Sequence, residues 1–287
     1  MNDNGVYQNI ILYLSSLNKH RDDSSMSMNI AQEDIQSCLL EDNQTIITTV
    51  TNHGYLLYTL NMLKSLQPFG LDRKVFIVCI DKKGTSILKQ LGYSVFCIED
   101  STLSKFCPWN TKGYDKICYL KLELIYHLLS LQKHVLLVDG DIVFHKNPIE
   151  DIQQWWKDTI HDVWIQNDSQ ENGNTKNMCT GYMFIKTSDR LIQLYDCVSE
   201  KGLAKYQTCA FDNNDQTYFN RFVKSACIMK PLAVERYPNG KMFYEHKDAI
   251  TNKYVLVHFN WVQGHMKMAK MKEHKMWLLT PEEEEVI

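Results

Sequence analysis

From Thr45 onward this sequence predicts an α/β domain with a mainly parallel central sheet. Two observations lead there. Short β-branched or apolar runs alternate with longer stretches whose apolar residues recur at helical spacing. Alternation of that kind builds strand–helix–strand units around a parallel sheet. Two of the runs end in polar clusters, at Thr51 and Asn52 and at Asp139, Gly140 and Asp141. In such sheets ligands collect beyond the carboxyl ends of the strands.

Each element follows from its own residues. Thr45 to Thr51 (TIITTVT) is β-branched and reads as a buried strand. Tyr55 to Leu66 has a helical apolar pattern, which Pro68 and Gly70 end. Lys74 to Ile80 is a second strand, and Lys83 to Leu91 a helix with Gly92 just past its end. Tyr93 to Ile98 is a third strand and Tyr114 to Leu131 a long helix. His134 to Val138 is a fourth strand that runs straight into Asp139. Beyond Pro148, Ile149 to Trp156 and Asp189 to Val198 read as helices. Val163 to Gln166, Tyr182 to Ile185 and Val255 to His258 read as strands. A basic, methionine-rich segment runs to Trp277, and the glutamates after Pro281 read as a solvated tail. Residues 1–44 are polar and weakly periodic, an N-terminal extension that is partly helical or flexible. No linker or internal repeat divides the remainder, so 45–287 is expected to be a single domain.

Composition narrows the function. The 287 residues are 44% hydrophobic and 23% charged, which suits a globular chain with a sizeable core and excludes a disordered or fibrous one. A formal net charge of -3 argues against a general nucleic-acid binder. The nine cysteines form no C-x-x-C pair, so buried, reduced thiols are expected rather than a zinc or redox motif. No run approaches the ~20 apolar residues that span a bilayer. The N-terminus lacks a basic stretch followed by a long apolar one. A cytoplasmic location is expected, with the sequons at Asn43 and Asn167 coincidental.

Asp139-Gly140-Asp141 is the sole D-x-D in the chain. Carboxylates suit hard divalent cations, and Mg2+ or Mn2+ often bridges a protein carboxylate to ligand phosphates. The intervening glycine permits close approach of a bulky ligand. Aspartates at a strand end also serve as simple turn and cap formers. Two enzyme chemistries use the pattern. In a haloacid-dehalogenase-like phosphatase, Asp139 would be the nucleophile of Asp139-Gly-Asp141-Ile-Val143. That motif normally sits on the first strand of its domain, whereas three strand–helix units precede it here. In nucleotide-sugar transferases the D-x-D follows a nucleotide-binding half, as it does here. A non-catalytic sugar-nucleotide binding module is a third reading.

Several further segments, in order, carry a resemblance. These are Thr48 to Tyr55 (TTVTNHGY) with Asn61 and Ser65, and Tyr119 to Leu122 with Lys121 18 residues before Asp139. The D-x-D is followed by Asn147 and Pro148. Then come Cys179 to Phe184 (CTGYMF), Asp212 to Asn220 (DNNDQTYFN), and Val257 to Gly264 leading into Lys267 and Lys270. On these, 45–277 resembles the nucleotide-diphospho-sugar transferase family, glycosyltransferase family 77, and more distantly family 8. The resemblance implies a GT-A fold, with 45–141 as the nucleotide-binding half and 142–287 as the donor-sugar and acceptor half. It also implies a UDP-sugar donor, Mn2+ or Mg2+, a glycan or glycoprotein acceptor, and retention of anomeric configuration.

The same resemblance assigns roles. Asp139 and Asp141 would be metal ligands, with His258 as a third, since neutral imidazole binds manganese. Ordinary strand-end capping and a half-buried histidine are the plain alternatives. Lys267 and Lys270 would meet the diphosphate leaving group, or else form a solvated basic face. Lys121 would sit near the phosphates or the sugar. Asp215 and Gln216 would face the reacting sugar; Asp215 otherwise reads as a helix N-cap. Thr49, Thr51, Asn52 and Tyr55 would hold the nucleoside, and Gly140, Thr180, Gly181 and Gly264 would lie against the donor. Cys179 stands where relatives often carry asparagine, so Thr180 or the backbone at Gly181 would replace that amide. Residues 168–177, polar and asparagine-rich, are a candidate loop over the site.

Overall fold

The computed structural model describes residues 28–209, 214–251 and 253–285. Residues 1–27, including most of the N-terminal extension, and Asp212 lie outside the described residues. Nine strands are described: β1 Thr45–Thr51, β2 Val75–Cys79, β3 Val95–Cys97, β4 His134–Val138, β5 Ile142–Phe144, β6 Val163–Asn167, β7 Met178–Ile185, β8 Met229–Pro231 and β9 Leu256–His258. Seven of them form one sheet in the order β3-β2-β1-β4-β7-β6-β8, and β5 pairs with β9 in a separate ribbon. Pairing is parallel from β3 through β4 and between β6 and β8; β7 is antiparallel to both its neighbours. The sheet is therefore mainly parallel, as the alternation of elements predicts.

The helices are α1 Gln32–Ile35, α2 Leu56–Leu66, α3 Lys82–Gln90, α4 Lys112–Ser130, α5 Ile149–Lys157, α6 Asp189–Tyr195, α7 Glu200–Gln207, α8 Asp215–Tyr218, α9 Gly240–Ile250, α10 His265–Glu273 and α11 Pro281–Glu285. Strand alternation distributes them in layers. In β4, Val135 and Leu137 pack with the buried face of α4 (Leu120, Leu124, Leu128), while Leu136 and Val138 pack with α2 (Leu60, Leu63). Strands covered on both faces read as continuous apolar runs, which is why β2 and β4 are legible without alternation. A smaller core joins Val143 of β5, Val257 and Phe259 around β9, Phe243 of α9 and Met271 of α10.

Three elements differ from expectation for identifiable reasons. The last helix before α7 stops at Tyr195, because Asp196 turns extended and its Oδ1 accepts the amides of Val198 and Ser199. β7 begins at Met178 rather than Tyr182, and all eight of its residues are buried. The terminal glutamates are mostly solvent-exposed, as expected, but form a helix tied to the rest of the fold. Glu283 pairs with Lys64, and Glu284 accepts from the Trp277 indole at 2.6 Å. At the other end, Met28, Ile30, Ile35 and Cys38 are buried in the core, and the Met28 amide donates to Glu123 at 3.0 Å.

All nine cysteines are free thiols. Among the described residues, no helix is long and apolar enough to cross a membrane. Asn167 of the second sequon is buried, so its side chain is inaccessible to a glycosylating enzyme in this fold.

Candidate active site

The site forms where β1 and β4 end and β7 begins. β4 delivers Asp139, and Gly140 turns the chain into β5. A Cβ on Gly140 would lie 2.7 Å from Thr59 Oγ1 and 3.3 Å from Thr59 Cα, so the glycine lets this turn sit directly on α2. β5 then pairs with β9 in a register that opposes Ile142 to His258. That ladder brings His258 beside Asp141 although much of the chain separates them. His258 Nε2 lies 3.3 Å from Asp141 Oδ1 and 3.9 Å from Asp139 Oδ2. Ligand-type atoms of Asp139, Asp141 and His258 all fall within 4.8 Å of one another.

Cations flank this triad. Lys121, buried in α4, bridges Asp139 at 2.8 Å and Asp215 at 2.7 Å. Lys267, on α10, pairs with Asp141 and lies 2.8 Å from the Tyr55 hydroxyl. Asp215 is not the cap of α8. Asn214 takes that role, its Oδ1 accepting the Thr217 amide at 2.6 Å. The Asp215 carboxylate is thus free to accept from Thr180 at 2.6 Å and to hold Lys121.

Charge states follow from these contacts. Burial alone would favour neutral Asp141, but Lys267 and His258 outweigh it and hold the carboxyl well below the usual carboxylate range. Asp215 is likewise burdened by burial and lowered by Lys121. Burial opposes charge on Lys121, yet Asp139 and Asp215 raise it well above the ordinary lysine value. For His258, burial disfavours the imidazolium, and Asp141 with Cys179 reverses that and raises it.

These groups line one cavity of about 870 Å³, within the range of small-molecule sites. Its walls include Thr51, Asn52, Tyr55, Gly140, Cys179, Thr180, Gly181, Gln216 and Gly264. Thr49 and Lys270 do not line it. Thr49 is buried two residues back along β1, and Lys270 pairs with Glu273 at 2.8 Å. Asn52 ties down the 103–106 loop: its amide donates to the carbonyls of Leu103 and Lys105 at 2.5 and 2.9 Å. Its Oδ1 is buried with no protein partner among the described residues. Phe106 of that loop stacks on Tyr55, ring centroids 6.0 Å apart.

The arrangement fits a divalent ion and a diphosphate. Four aspartates in the wall (Asp139, Asp141, Asp168 and Asp215) face two lysines, so even with His258 protonated the wall keeps negative charge that a dication would balance. Two carboxylates and an imidazole are donors that Mn2+ and Mg2+ accept.

The nucleotide-diphospho-sugar transferase family model matches residues 70–273, a span that holds the D-x-D, His258 and Lys267. The chain belongs to this family. Its fold is the GT-A fold. The chain is 23% identical to the UDP-galactose:fucoside alpha-3-galactosyltransferase of Dictyostelium discoideum. That match covers 85% of this chain but 44% of the relative, so the chain spans less than half of that protein's length. It also superposes on the galactosyltransferase LgtC, solved with donor and acceptor sugar analogues. The TM-score is 0.54 at 12% identity, covering 85% of this chain and 100% of the other. The family match sets aside the phosphatase reading of Asp139.

Motif residues of the chain divide between cavity and scaffold. Asn61 holds the C-terminal segment, donating to the Met276 carbonyl at 3.0 Å and accepting the Leu278 amide at 2.6 Å. Ser65 accepts the Phe144 amide at 3.0 Å. Asn220 pins the start of β7 to α8, donating to the carbonyls of Met178 and Gln216 at 2.8 and 2.9 Å. Asp168 was not singled out by the sequence as a site residue; it gathers Asn177 (2.9 Å), Gln216 (3.1 Å), Trp261 (3.1 Å) and Asn260 (3.4 Å) at the cavity wall. Its one sequence signal was its place at the head of the polar 168–177 loop.

Gly181 has a strict requirement. A Cβ there would meet His258 Cε1 at 2.2 Å and Asp139 Oδ2 at 2.8 Å. Gly181→Ala is therefore expected to lose about 1–3 kcal/mol of stability and to weaken Mn2+ binding, read by denaturant unfolding and calorimetric titration. Unchanged values in both would show that the triad tolerates displacement.

Proposed function

We propose that this chain transfers a sugar from a UDP-sugar to a hydroxyl of a glycan or glycoprotein, with Mn2+ or Mg2+ held by Asp139, Asp141 and His258 and with retention of configuration. The convergence of those three side chains beside Lys121 and Lys267 in one cavity carries this reading. The named donor of the Dictyostelium relative supports uridine diphosphate as the nucleotide.

A divalent ion bound there would neutralise the diphosphate and make it a better leaving group. The protein's own groups supply the rest. Lys267, steadied by the Tyr55 hydroxyl, offers a fixed cation toward the departing phosphate, where negative charge grows as the sugar–oxygen bond breaks. Asp215, kept ionised by Lys121, is a fixed negative charge for the positive character that develops on the sugar ring. Lys121 and Thr180 hold that carboxylate in one orientation. In a front-face reaction the electron pair of the breaking bond leaves on phosphate oxygen. The acceptor oxygen bonds to the anomeric carbon on the same face, and its proton passes to the departing phosphate.

Without acceptor, such an enzyme hydrolyses its preferred donor slowly. Screening UDP- and GDP-sugars for Mn2+-dependent nucleotide release tests the reading, and the expected outcome is release from one or a few UDP-sugars. Binding to the folded state raises stability, so UDP with Mn2+ at about 100 times its dissociation constant should add about 2.7 kcal/mol. The absence of both nucleotide release and any melting shift with a nucleoside diphosphate and Mn2+ would refute it.

A further inference from the structure

We infer that Gln166 is a positioning residue that fixes the proton on Nδ1 of His258 and so presents Nε2 to the aspartate pair. The inference rests on the reading of Asp139, Asp141 and His258 as metal ligands.

Gln166 is fully buried in β6. Its side chain has three partners. Nε2 donates to the carbonyl oxygens of Tyr237 and Pro238, each at 3.1 Å, and Oε1 lies 2.7 Å from His258 Nδ1. A carbonyl oxygen only accepts, so the amide nitrogen must face Tyr237 and Pro238. The glutamine is thereby locked against a flip, and an acceptor oxygen is left pointing at the imidazole. That contact at 2.7 Å requires the proton on Nδ1. The opposite ring nitrogen, 3.3 Å from Asp141 Oδ1, is the one turned to the carboxylates.

The backbone serves the same arrangement. The β6–β7 register shifts between Ile165 and Gln166. An irregularity of this kind re-aims the side chain that follows it. Here it accompanies a polar side chain turned toward His258 directly after the apolar run Val163 to Ile165. The Cys179 sulfur, 3.7 Å from Nδ1, adds a weaker contact on the same edge of the ring. Outer partners of a ligating histidine set its tautomer and orientation, and losing one typically costs about 10–100-fold in metal affinity.

Two substitutions separate positioning from packing. Gln166→Met keeps the shape and removes the acceptor. Gln166→Glu keeps an acceptor for Nδ1–H but loses the donor to Tyr237 and Pro238, as Met does. Mn2+ affinity is measured by calorimetry on the full chain, melting temperature in parallel, and the His258 tautomer by 15N NMR of the Mg2+-loaded protein. Expected for Gln166→Met is a loss of about 10–100-fold in Mn2+ affinity with a weakened Nδ1–H preference. Expected for Gln166→Glu is a comparable melting loss with most of the affinity and the Nδ1–H tautomer retained.

Equal affinity losses in both variants, tracking stability alone, would overturn the inference. So would unchanged affinity in a folded Gln166→Met. Should neither variant fold, the wild-type tautomer decides: a proton on Nε2 in the Mg2+-loaded protein overturns it, and one on Nδ1 upholds it. Failure of the wild type to bind Mn2+ or Mg2+ at all would instead sink the metal reading itself, and this inference with it.

Discussion

Asp139→Ala combined with Asp141→Ala is expected to abolish Mn2+-dependent release of nucleotide from a UDP-sugar. Two of three candidate ligands disappear, and with them the stabilisation of the leaving group. Loss of about 4 kcal/mol of such stabilisation corresponds to about a thousandfold in rate. The double variant has a second consequence. Lys267 is 9% exposed and pairs with Asp141, while Lys121 shares its charge between Asp139 and Asp215. Removing the carboxylates leaves buried ammonium groups underpaired, so stability falls as well. Asp141→Asn, which keeps the shape, separates these effects: it should retain a cooperative melt and still lose most Mn2+ affinity. Wild-type release rates from the double variant would show that the acidic pair has no part in the reaction.

The largest single loss of stability is expected from Lys121→Met. Breaking a buried ion pair by removing one partner costs about 3–5 kcal/mol, and Lys121 serves two carboxylates at once. The loss should depend on pH in a defined direction. In the wild type, burial would raise Asp215, but Lys121 brings it below its ordinary value. A lowered folded-state value gives stability that is present above the unfolded value, near 3.9, and is lost as pH falls through the folded one. In Lys121→Met the Thr180 hydroxyl still lowers Asp215, but burial has lost its main opponent, so the Asp215 value rises. A raised value gives stability that is present at low pH and lost as pH rises. The gap between wild type and variant is therefore widest near pH 7.5 and narrows toward pH 5. Urea unfolding at the two values measures it. A gap of equal size at both would mean that Asp215 is not held by Lys121.

Much of the fold was legible because parallel strands covered on both faces must be apolar throughout. β1 and β4 were bounded to the residue, at Thr45–Thr51 and His134–Val138. The miss at β7 has a clear cause. Cys179, Thr180 and Gly181 are buried because the cavity and His258 press on them, not because they are apolar. Burial imposed by a site leaves no hydrophobic pattern to read. The C-terminal helix was not legible for a related reason: the glutamates are mostly exposed, and their tethers, Lys64 and Trp277, are brought beside them only by the fold.

The site divides along the same line. The residues alone set which chemical groups were available: the acidic pair at the end of an apolar strand, a histidine closing a late strand, and lysines beyond it. Ordered motifs made those groups read as one donor site. How they meet depends on the packing of distant segments. The β5–β9 ladder sets His258 against Asp141, and Asn214 rather than Asp215 caps its helix, which frees a carboxylate for Lys121. Packing also separated Lys267, which reaches the acidic pair, from Lys270, which turns to Glu273. Gln166 and Asp168 entered only through their contacts. A residue's type limits the bonds it can make, but the choice of partner depends on distances between segments far apart in the chain, and those exist only once the core has packed.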